Sequence, residues 1–136
     1  MNHKNFKPMR TDIEKIPKIS IREFIDKSPP ELQIEVLAGE KGLPEREISS
    51  ARIQKLGLAL AGFSHYIHPG RVQIVGQSEI SYLLQLESSR RSEVLTNLDL
   101  SKICCILLTK NLEPPPEVVK LADETGLPVL RTSLIS

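Results

Sequence analysis

A serine and two histidines lie close together in one polar loop of this sequence, and they are the first candidates for chemistry. Ser64 and His65 are adjacent, and His68 follows three residues later. A serine becomes a nucleophile only beside a base that a third group orients, and adjacent residues rarely reach that geometry. Two histidines supply only part of a zinc ligand set, and this spacing differs from the i, i+4 spacing of a helical zinc motif. The pattern favours surface histidines and assigns no catalytic residue and no metal ligand.

Four polar side chains near predicted strand ends are candidates for binding an anion or a carboxylate of a partner. Arg71 and Gln73 stand where an apolar segment begins, Lys55 lies two residues before Gly57, and Arg131 follows the last apolar segment. Arginine presents a planar fork of donors that matches a carboxylate or a phosphate. Ligands of open parallel sheets favour the carboxyl ends of strands, where Arg131 is expected. For Lys55, Arg71 and Gln73 the alternative is a solvated surface or an internal cap on loop carbonyls.

The sequence contains no phosphate-binding loop. Such a loop needs the pattern G-x-x-x-x-G-K-[ST], because clustered backbone N–H groups and one lysine neutralise the phosphates. Gly57 and Gly62 have the spacing of the two glycines, but Phe63 and Ser64 follow them. The residues between the two glycines, Leu58–Ala61, indicate a strand instead. No nucleotide cofactor is therefore expected in this chain.

The two cysteines, Cys104 and Cys105, are adjacent in the sequence. On a strand their side chains would point to opposite faces, which makes an ordinary disulfide between them unfavourable. Two cysteines are too few for a cysteine-only zinc site. The pattern favours two small, buried apolar residues.

Composition and charge limit the classes of function. A chain of 136 residues suits one domain. A net charge of +1 gives no electrostatic footprint for nucleic acid, and 4% aromatic residues without tryptophan argue against base stacking. No apolar run is long enough for a membrane helix or a signal peptide, so we expect a cytoplasmic protein with no nucleic-acid or membrane partner. Residues 1–18 are polar and are predicted to form a flexible leader.

The amino-terminal half alternates short apolar segments with turns. Ser20 and Glu23 form a capping box that predicts a helix, and prolines 29 and 30 end it. Alternating apolar residues over 32–36 predict a half-buried strand. Ile48 and Ile53 are expected to anchor an irregular stretch. Leu58–Ala61 and Val72–Val75 are predicted as two further strands.

The carboxyl-terminal half predicts helices and parallel strands. Ser78 is expected to cap a helix with Ile80, Leu83 and Leu84 inward, and residues 90–97 form a second short helix. A right-handed β-α-β unit is expected near the end of the chain. It consists of the apolar run 104–108, a helix that starts near prolines 114–116 and ends at Gly126, and the segment 129–130. We expect an α/β fold: a small, mostly parallel sheet of about five strands with helices on both faces.

Several ordered segments together resemble the amino-terminal domain of the HPr kinase/phosphorylase family, from about Ile21 to Thr132. One departure is Leu56, where the family usually has proline before the glycine. The segments that carry the resemblance are Leu37-Ala38-Gly39 with Gly42-Leu43, Gly57–Phe63, Arg71–Gly76 with Ser78-Glu79, Leu112–Pro115 and Gly126–Thr132.

The resemblance implies a domain assignment of residues 19–136 and a fold similar to the first domain of the Mur ligases. In that family a separate kinase domain carries the phosphate loop and uses ATP and Mg²⁺. It adds phosphate to a serine of the phosphocarrier HPr and removes it, and the enzyme assembles as a hexamer. The implied role here is a non-catalytic regulatory or assembly domain, whose partners would be the kinase domain, other copies of the enzyme and HPr. The alternative is a stand-alone module that senses a small molecule or anion.

Overall fold

The computed structural model describes residues 15–63, 65 and 67–134. Seven strands and five α-helices are formed by these residues, together with short 3₁₀ turns at residues 30–32, 40–42 and 100–102. In chain order the elements are β1 (Lys15–Ser20), α1 (Ile21–Lys27), β2 (Glu35–Ala38), β3 (Glu47–Ser50), β4 (Ile53–Lys55), α2 (Gly57–Leu60), β5 (Val72–Val75), α3 (Gln77–Gln85), α4 (Ser88–Thr96), β6 (Ile106–Leu108), α5 (Pro116–Thr125) and β7 (Val129–Arg131).

Five of the strands form one sheet in the order β2-β7-β6-β5-β4. The neighbours from β4 to β7 are parallel, and β2 pairs with β7 in the antiparallel sense. The β6-α5-β7 unit therefore has the predicted parallel crossover. Strands β1 and β3 form a separate antiparallel pair. The predicted α/β class and the mostly parallel five-stranded sheet are confirmed.

Apolar side chains cover both faces of the sheet. Helices α2 to α5 bury residues such as Leu60, Leu83 and Val118 on one face, together with Leu108 of β6. Helix α1 buries Ile21 on the other face, together with β3 and the opposite-facing side chains of β5 and β7. This alternation follows from the two-residue period of a strand. Both faces carry helices, as the sequence predicts.

Local capping signals place two helix ends correctly. The hydroxyl of Ser20 accepts a hydrogen bond from the N–H of Glu23 at 3.1 Å, which satisfies a donor of the first turn of α1. Gly126 ends α5 with φ +68°, a conformation that glycine adopts without the steric strain of a side chain. The N–H of Leu127 then donates to the carbonyl of Ala122 at 3.1 Å.

The strand predicted at Leu58–Ala61 is wrong, because these residues belong to helix α2 and the turn after it. The N–H groups of Leu60 and Ala61 donate to the carbonyls of Leu56 and Gly57 at 3.0 and 3.1 Å, four residues back in each case. The strand at this place is β4, which begins five residues earlier, at Ile53. A four-residue apolar run has no periodicity that separates a strand from a helical turn.

Other boundaries also differ from the prediction. The strand expected over 32–36 begins only at Glu35, because Gln33 adopts a left-handed φ of +49°. Gly76, not Ser78, precedes the first turn of α3. Leu84 is 58% exposed, and Ile53 is 62% exposed because β4 is an edge strand, although Ile48 is buried as expected.

The predicted leader is described only in part. Residues 15–18 lie in β1, and residues 1–14 lie outside the described residues. The helices in the described part of the chain are all too short or too polar to span a membrane.

Candidate functional site

The four predicted binding residues do not form one site. Lys55 and Arg131 lie at the carboxyl ends of β4 and β7, whereas Arg71 and Gln73 lie at the beginning of β5. Strands β5 and β6 stand between Lys55 and Arg131, which separates them by roughly 14 Å at about 4.8 Å per strand. Each residue therefore has to be considered in its own surroundings.

Arg131 is held by two carboxylates. Its Nε donates to Glu35 at 2.7 Å, and its Nη1 donates to Glu113 at 2.8 Å. These two hydrogen bonds, first that with Glu35 and then that with Glu113, raise the pKa of Arg131 above its ordinary value. The pairs join β7 to β2 and to the loop before α5. An anion at this position would have to compete with both carboxylates.

Gln73 lies inside the molecule with no exposed surface. Its Nε2 donates to Oε1 of Gln54 at 3.2 Å, and the same oxygen accepts from the N–H of His68 at 2.9 Å. This arrangement links β4, β5 and the histidine loop. The Oε1 of Gln73 is buried and has no hydrogen-bond partner among the described residues. Gln73 therefore positions the loop and does not face solvent.

Lys55 is exposed, Arg71 is half-buried, and both histidines of the loop are exposed. The carbonyl of Arg71 accepts a hydrogen bond from the thiol of Cys104 at 3.2 Å. Ser64 lies outside the described residues, so its predicted exclusion as a nucleophile stays a prediction. Within residues 15–63, 65 and 67–134, no three His, Cys, Asp or Glu side chains are grouped to hold a metal.

The carboxyl edge of the sheet is closed by internal contacts. This edge is formed by residues 56, 76, 109 and 132, which directly follow strands β4 to β7. Glu79 is buried, and its carboxylate accepts from the N–H of Gly76 at 2.7 Å, at the start of α3. Lys110 and Asn111 both have a φ of +54°, and their N–H groups donate to the carbonyls of Leu134 and Thr132. Three N–H groups that could bind an anion there, those of Gly76, Lys110 and Asn111, already have partners.

The opposite end of the sheet holds a cleft of about 380 Å³. We call it the amino-edge cleft, because it lies where the chain enters β5 and β6. Its walls carry three cationic and two anionic side chains, together with the hydroxyls of Ser49 and Ser101. The charged residues are Lys18, Arg46, Lys102, Glu45 and Glu47. A polar ligand of the size of a small metabolite would fit this volume.

Arg46 fixes the wall of the amino-edge cleft. Its Nη1 donates to the carbonyls of Leu100 and Ile103 at 2.7 and 2.6 Å. Its Nε and Nη2 donate to the carbonyls of Gly126 and Thr125 at 2.9 and 3.2 Å. The guanidinium thus caps the carboxyl end of α5, where a positive charge interacts favourably with the helix dipole. No ion pair joins Arg46 to a carboxylate in the described part of the chain, and the three cationic and two anionic residues that line the cleft give it one net positive charge.

Sequence reasoning missed Arg46, Lys18 and Lys102. Arg46 stands between two glutamates, which indicates an ordinary solvated position. Its partners are between 54 and 80 residues away in the chain, so no local pattern could find them. The two glycines at 39 and 42, which the resemblance did include, allow the backbone to approach this wall.

Curated relatives share most of this chain. It is 39% identical over 114 residues to the HPr kinase/phosphorylase of Geobacter sulfurreducens, a match that covers 84% of this chain and 35% of the relative. The HPr kinase/phosphorylase of Shouchella clausii is 34% identical over 117 residues, which cover 86% of this chain and 36% of that protein. The chain therefore spans about a third of the length of these relatives.

A solved structure has the same fold. It contains the CBS and DRTGG domains of the regulatory region of Clostridium perfringens pyrophosphatase, in complex with the activator diadenosine tetraphosphate. The match has a TM-score of 0.53 at 15% identity and covers 86% of this chain and 42% of that one. The model of the HPr serine kinase N terminus matches residues 19–136. This match covers most of the chain and agrees with the curated relatives, so the chain belongs to the family of HPr serine kinase N-terminal domains.

Proposed function

We propose that this chain is a non-catalytic regulatory and assembly domain of a bifunctional HPr serine kinase/phosphorylase. That enzyme would add phosphate to a serine of the phosphocarrier HPr, and remove it, in carbon-catabolite regulation in the cytoplasm. The observation that carries the proposal is the match of residues 19–136 to the N-terminal family, within relatives about three times as long. The sequence has no phosphate-binding loop, so ATP and Mg²⁺ would act in a separate kinase domain.

The proposed partners are the kinase domain of the same enzyme and further copies of the enzyme in a homo-oligomer, with HPr as a third. Exposed apolar side chains support the assembly role. Leu84 of α3 is 58% exposed, whereas its neighbour Leu83 is 2% exposed and belongs to the core. Ile53 of the edge strand β4 is 62% exposed. Burying apolar side chains of this size against a partner lowers the free energy of the assembly.

A phosphotransfer assay tests the non-catalytic part. The chain is incubated with HPr, ATP and Mg²⁺, and phosphoserine on HPr is measured by mass spectrometry. The full-length Geobacter enzyme is the positive control. We expect phosphoserine only with the full-length enzyme, and phosphoserine formed by this chain alone would contradict the proposal.

A chimera tests the assembly part. Residues 19–136 replace the matching segment of the Geobacter enzyme, and the mass of the assembly is measured by light scattering beside a variant that lacks the segment. We expect the chimera to keep the assembly mass and the kinase activity of its parent. The variant that lacks the segment should lose either the assembly mass or the kinase activity. Leu84→Glu should weaken assembly, whereas Lys120→Glu, at an exposed residue of α5, is a matched surface control. A chimera that behaves like the deletion variant would overturn the assembly role.

The amino-edge cleft favours a second candidate function, the sensing of a small anionic molecule. Lys18, Arg46 and Lys102 supply positive charge around a volume of about 380 Å³. Thermal denaturation with a panel of phosphorylated metabolites tests this role, because a ligand that binds the native state raises the melting temperature. Lys102→Glu should abolish the rise, and Lys55→Glu at the other edge should not. A melting temperature unchanged by every metabolite would exclude this role.

A further inference from the structure

Two adjacent thiols lie beside the amino-edge cleft: Cys104 lines it, and Cys105 is buried behind Cys104. Cys104 and Cys105 are both free and both buried, with 5% and 0% of their surfaces exposed. They precede β6, which begins at Ile106, so they do not follow the strand alternation that the sequence suggested. Both side chains belong to the same apolar cluster as Ile21 and Leu130. The chain thus holds a vicinal dithiol on one side of the sheet.

The two thiols differ in access and in acidity. Cys104 lines the cleft, and its thiol donates to the carbonyl of Arg71 at 3.2 Å. The hydrogen bond from Cys105, backbone hydrogen bonds and the positive charge of Arg46 lower the pKa of Cys104, against the opposing effect of burial. The hydrogen bond to Cys104 and complete burial raise the pKa of Cys105 well above its ordinary value. A thiol with a lowered pKa beside a positively charged cleft is the more nucleophilic one.

The geometry points to a binding site for a thiophilic trivalent arsenic compound at Cys104 and Cys105, which enters through the amino-edge cleft. This inference is independent of the proposed role of the domain. Soft thiolate sulfur prefers soft acceptors, and a chelate requires two sulfurs that face the same acceptor. Cys104 supplies the sulfur that attacks from the cleft side. Cys105 supplies the second sulfur after a local movement of the segment before β6.

The reaction balances without an oxidant. An aryl arsenic(III) oxide and two thiols give one dithiolate-bound arsenic and one water. Two S–H bonds and the bonds from arsenic to oxygen break, and two S–As bonds form. Both thiol protons leave with the oxygen as water. Arsenic stays trivalent and sulfur keeps its oxidation state, so the site needs no redox partner.

Intact-mass spectrometry with phenylarsine oxide tests the inference on the native chain. We expect one phenylarsenic group per chain, with the loss of one water. A chelate with two sulfurs should survive an excess of a monothiol and should be removed by a dithiol. Cys104→Ser and Cys105→Ser each leave one thiol, so each should lose the monothiol-resistant adduct while circular dichroism confirms the fold.

A measurement on the unsubstituted chain covers the case in which a variant does not fold. Limited alkylation with iodoacetamide should modify Cys104 before Cys105, and the alkylated chain should no longer retain the arsenical. An adduct that forms in urea but not on the native chain would overturn the inference, because the pair would then be closed to the cleft. A monothiol-resistant adduct on folded Cys104→Ser would also overturn it.

Discussion

Two arginines at opposite edges of one sheet have the same charge but different partners. Arg131 at the carboxyl edge is paired with the carboxylates of Glu35 and Glu113 at 2.7 and 2.8 Å. Among the described residues, Arg46 at the amino edge donates only to backbone carbonyls, including those of Gly126 and Ile103. The first arginine is neutralised by side chains that face water. The second joins two loops through backbone carbonyls and has no carboxylate partner among the described residues.

The comparison shows which edge of this sheet is available for a ligand. Parallel α/β sheets generally bind ligands at their carboxyl ends. Here Glu79 occupies the start of α3, and the N–H groups of Lys110 and Asn111 have carbonyl partners. The open volume lies at the amino edge, between loops that Arg46 holds in place. The rule that ligands bind at the carboxyl ends of parallel strands therefore points to the edge that is less open to a ligand in this molecule.

The largest expected effect comes from a close backbone contact at the amino edge. A Cβ at Gly42 would lie 1.8 Å from the carbonyl oxygen of Gly126, and this oxygen cannot move without α5. We expect Gly42→Ala to lower the free energy of unfolding by roughly 3 to 4 kcal/mol in urea titrations. The matched control is Gly57→Ala at the carboxyl edge, where the nearest atom is a side-chain oxygen of Glu79 at 3.2 Å. Equal effects of the two substitutions would contradict the difference between the edges.

The next largest effect concerns Arg46. Arg46→Ala removes hydrogen bonds to four carbonyls, and those that stay buried lose their partner. We expect a loss of roughly 2 to 3 kcal/mol in the free energy of unfolding, measured in the same titrations. Arg46→Lys keeps the charge but reaches fewer carbonyls, so its loss should be smaller. A loss for Arg46→Ala no larger than that for Arg131→Ala would refute the structural role of Arg46.

Local signals in the sequence predicted the elements whose ends are fixed by neighbouring residues. The hydroxyl of Ser20 and the glycine at 126 mark helix ends within a few residues of their partners. The run Leu58–Ala61 carries no such signal, because its helical state depends on β4 taking the place beside β5. The exposure of Ile53 has the same cause, since an edge position is a property of the whole sheet.

The candidate site depends on contacts between distant parts of the chain and was therefore less predictable. Arg131 is predicted just after the last strand and is instead the final residue of β7, and nothing in the sequence indicates its two carboxylate partners, Glu35 and Glu113. Glu35 is 96 residues away from Arg131 in the chain. Arg46 was overlooked for the same reason. The predicted roles of Lys55, Arg71, Gln73 and Arg131 in binding stay predictions.

A smaller effect is expected when Arg131 is released from its carboxylates. Glu35→Gln with Glu113→Gln removes both negative charges, and exposed ion pairs contribute little to stability. We expect almost the same melting temperature, but a larger rise on addition of inorganic phosphate than in the original chain, because the guanidinium can then pair with the anion. Arg131→Gln in this background should return the response to its original size. An unchanged phosphate response in the double variant would show that carboxylates do not close this edge.

The smallest expected effect is a pH dependence of stability at the Glu117–Arg91 ion pair, which lies away from both edges of the sheet. This pair provides a reference against which the effects at Arg46 and Arg131 can be compared. The Ser88 hydroxyl at 2.5 Å, a backbone hydrogen bond and Arg91 at 3.0 Å lower the pKa of Glu117 from 4.5 to about 2. The unfolded chain binds this proton more readily than the native chain does, so the contribution of Glu117 to stability is present above pH 4.5. It is lost as the pH falls from 4.5 towards about 2.

Thermal denaturation across this acidic range measures the contribution, with Glu117→Gln as the control that cannot titrate. The difference in melting temperature between the two chains should be largest above the ordinary pKa of the carboxyl and should shrink as the pH falls. Arg46 has no carboxylate partner in the described residues. The difference in melting temperature between the original chain and Arg46→Lys should therefore not shrink as the pH falls. A constant difference between the chains at all pH values would mean that Glu117 acts by hydrogen bonding and not by its charge.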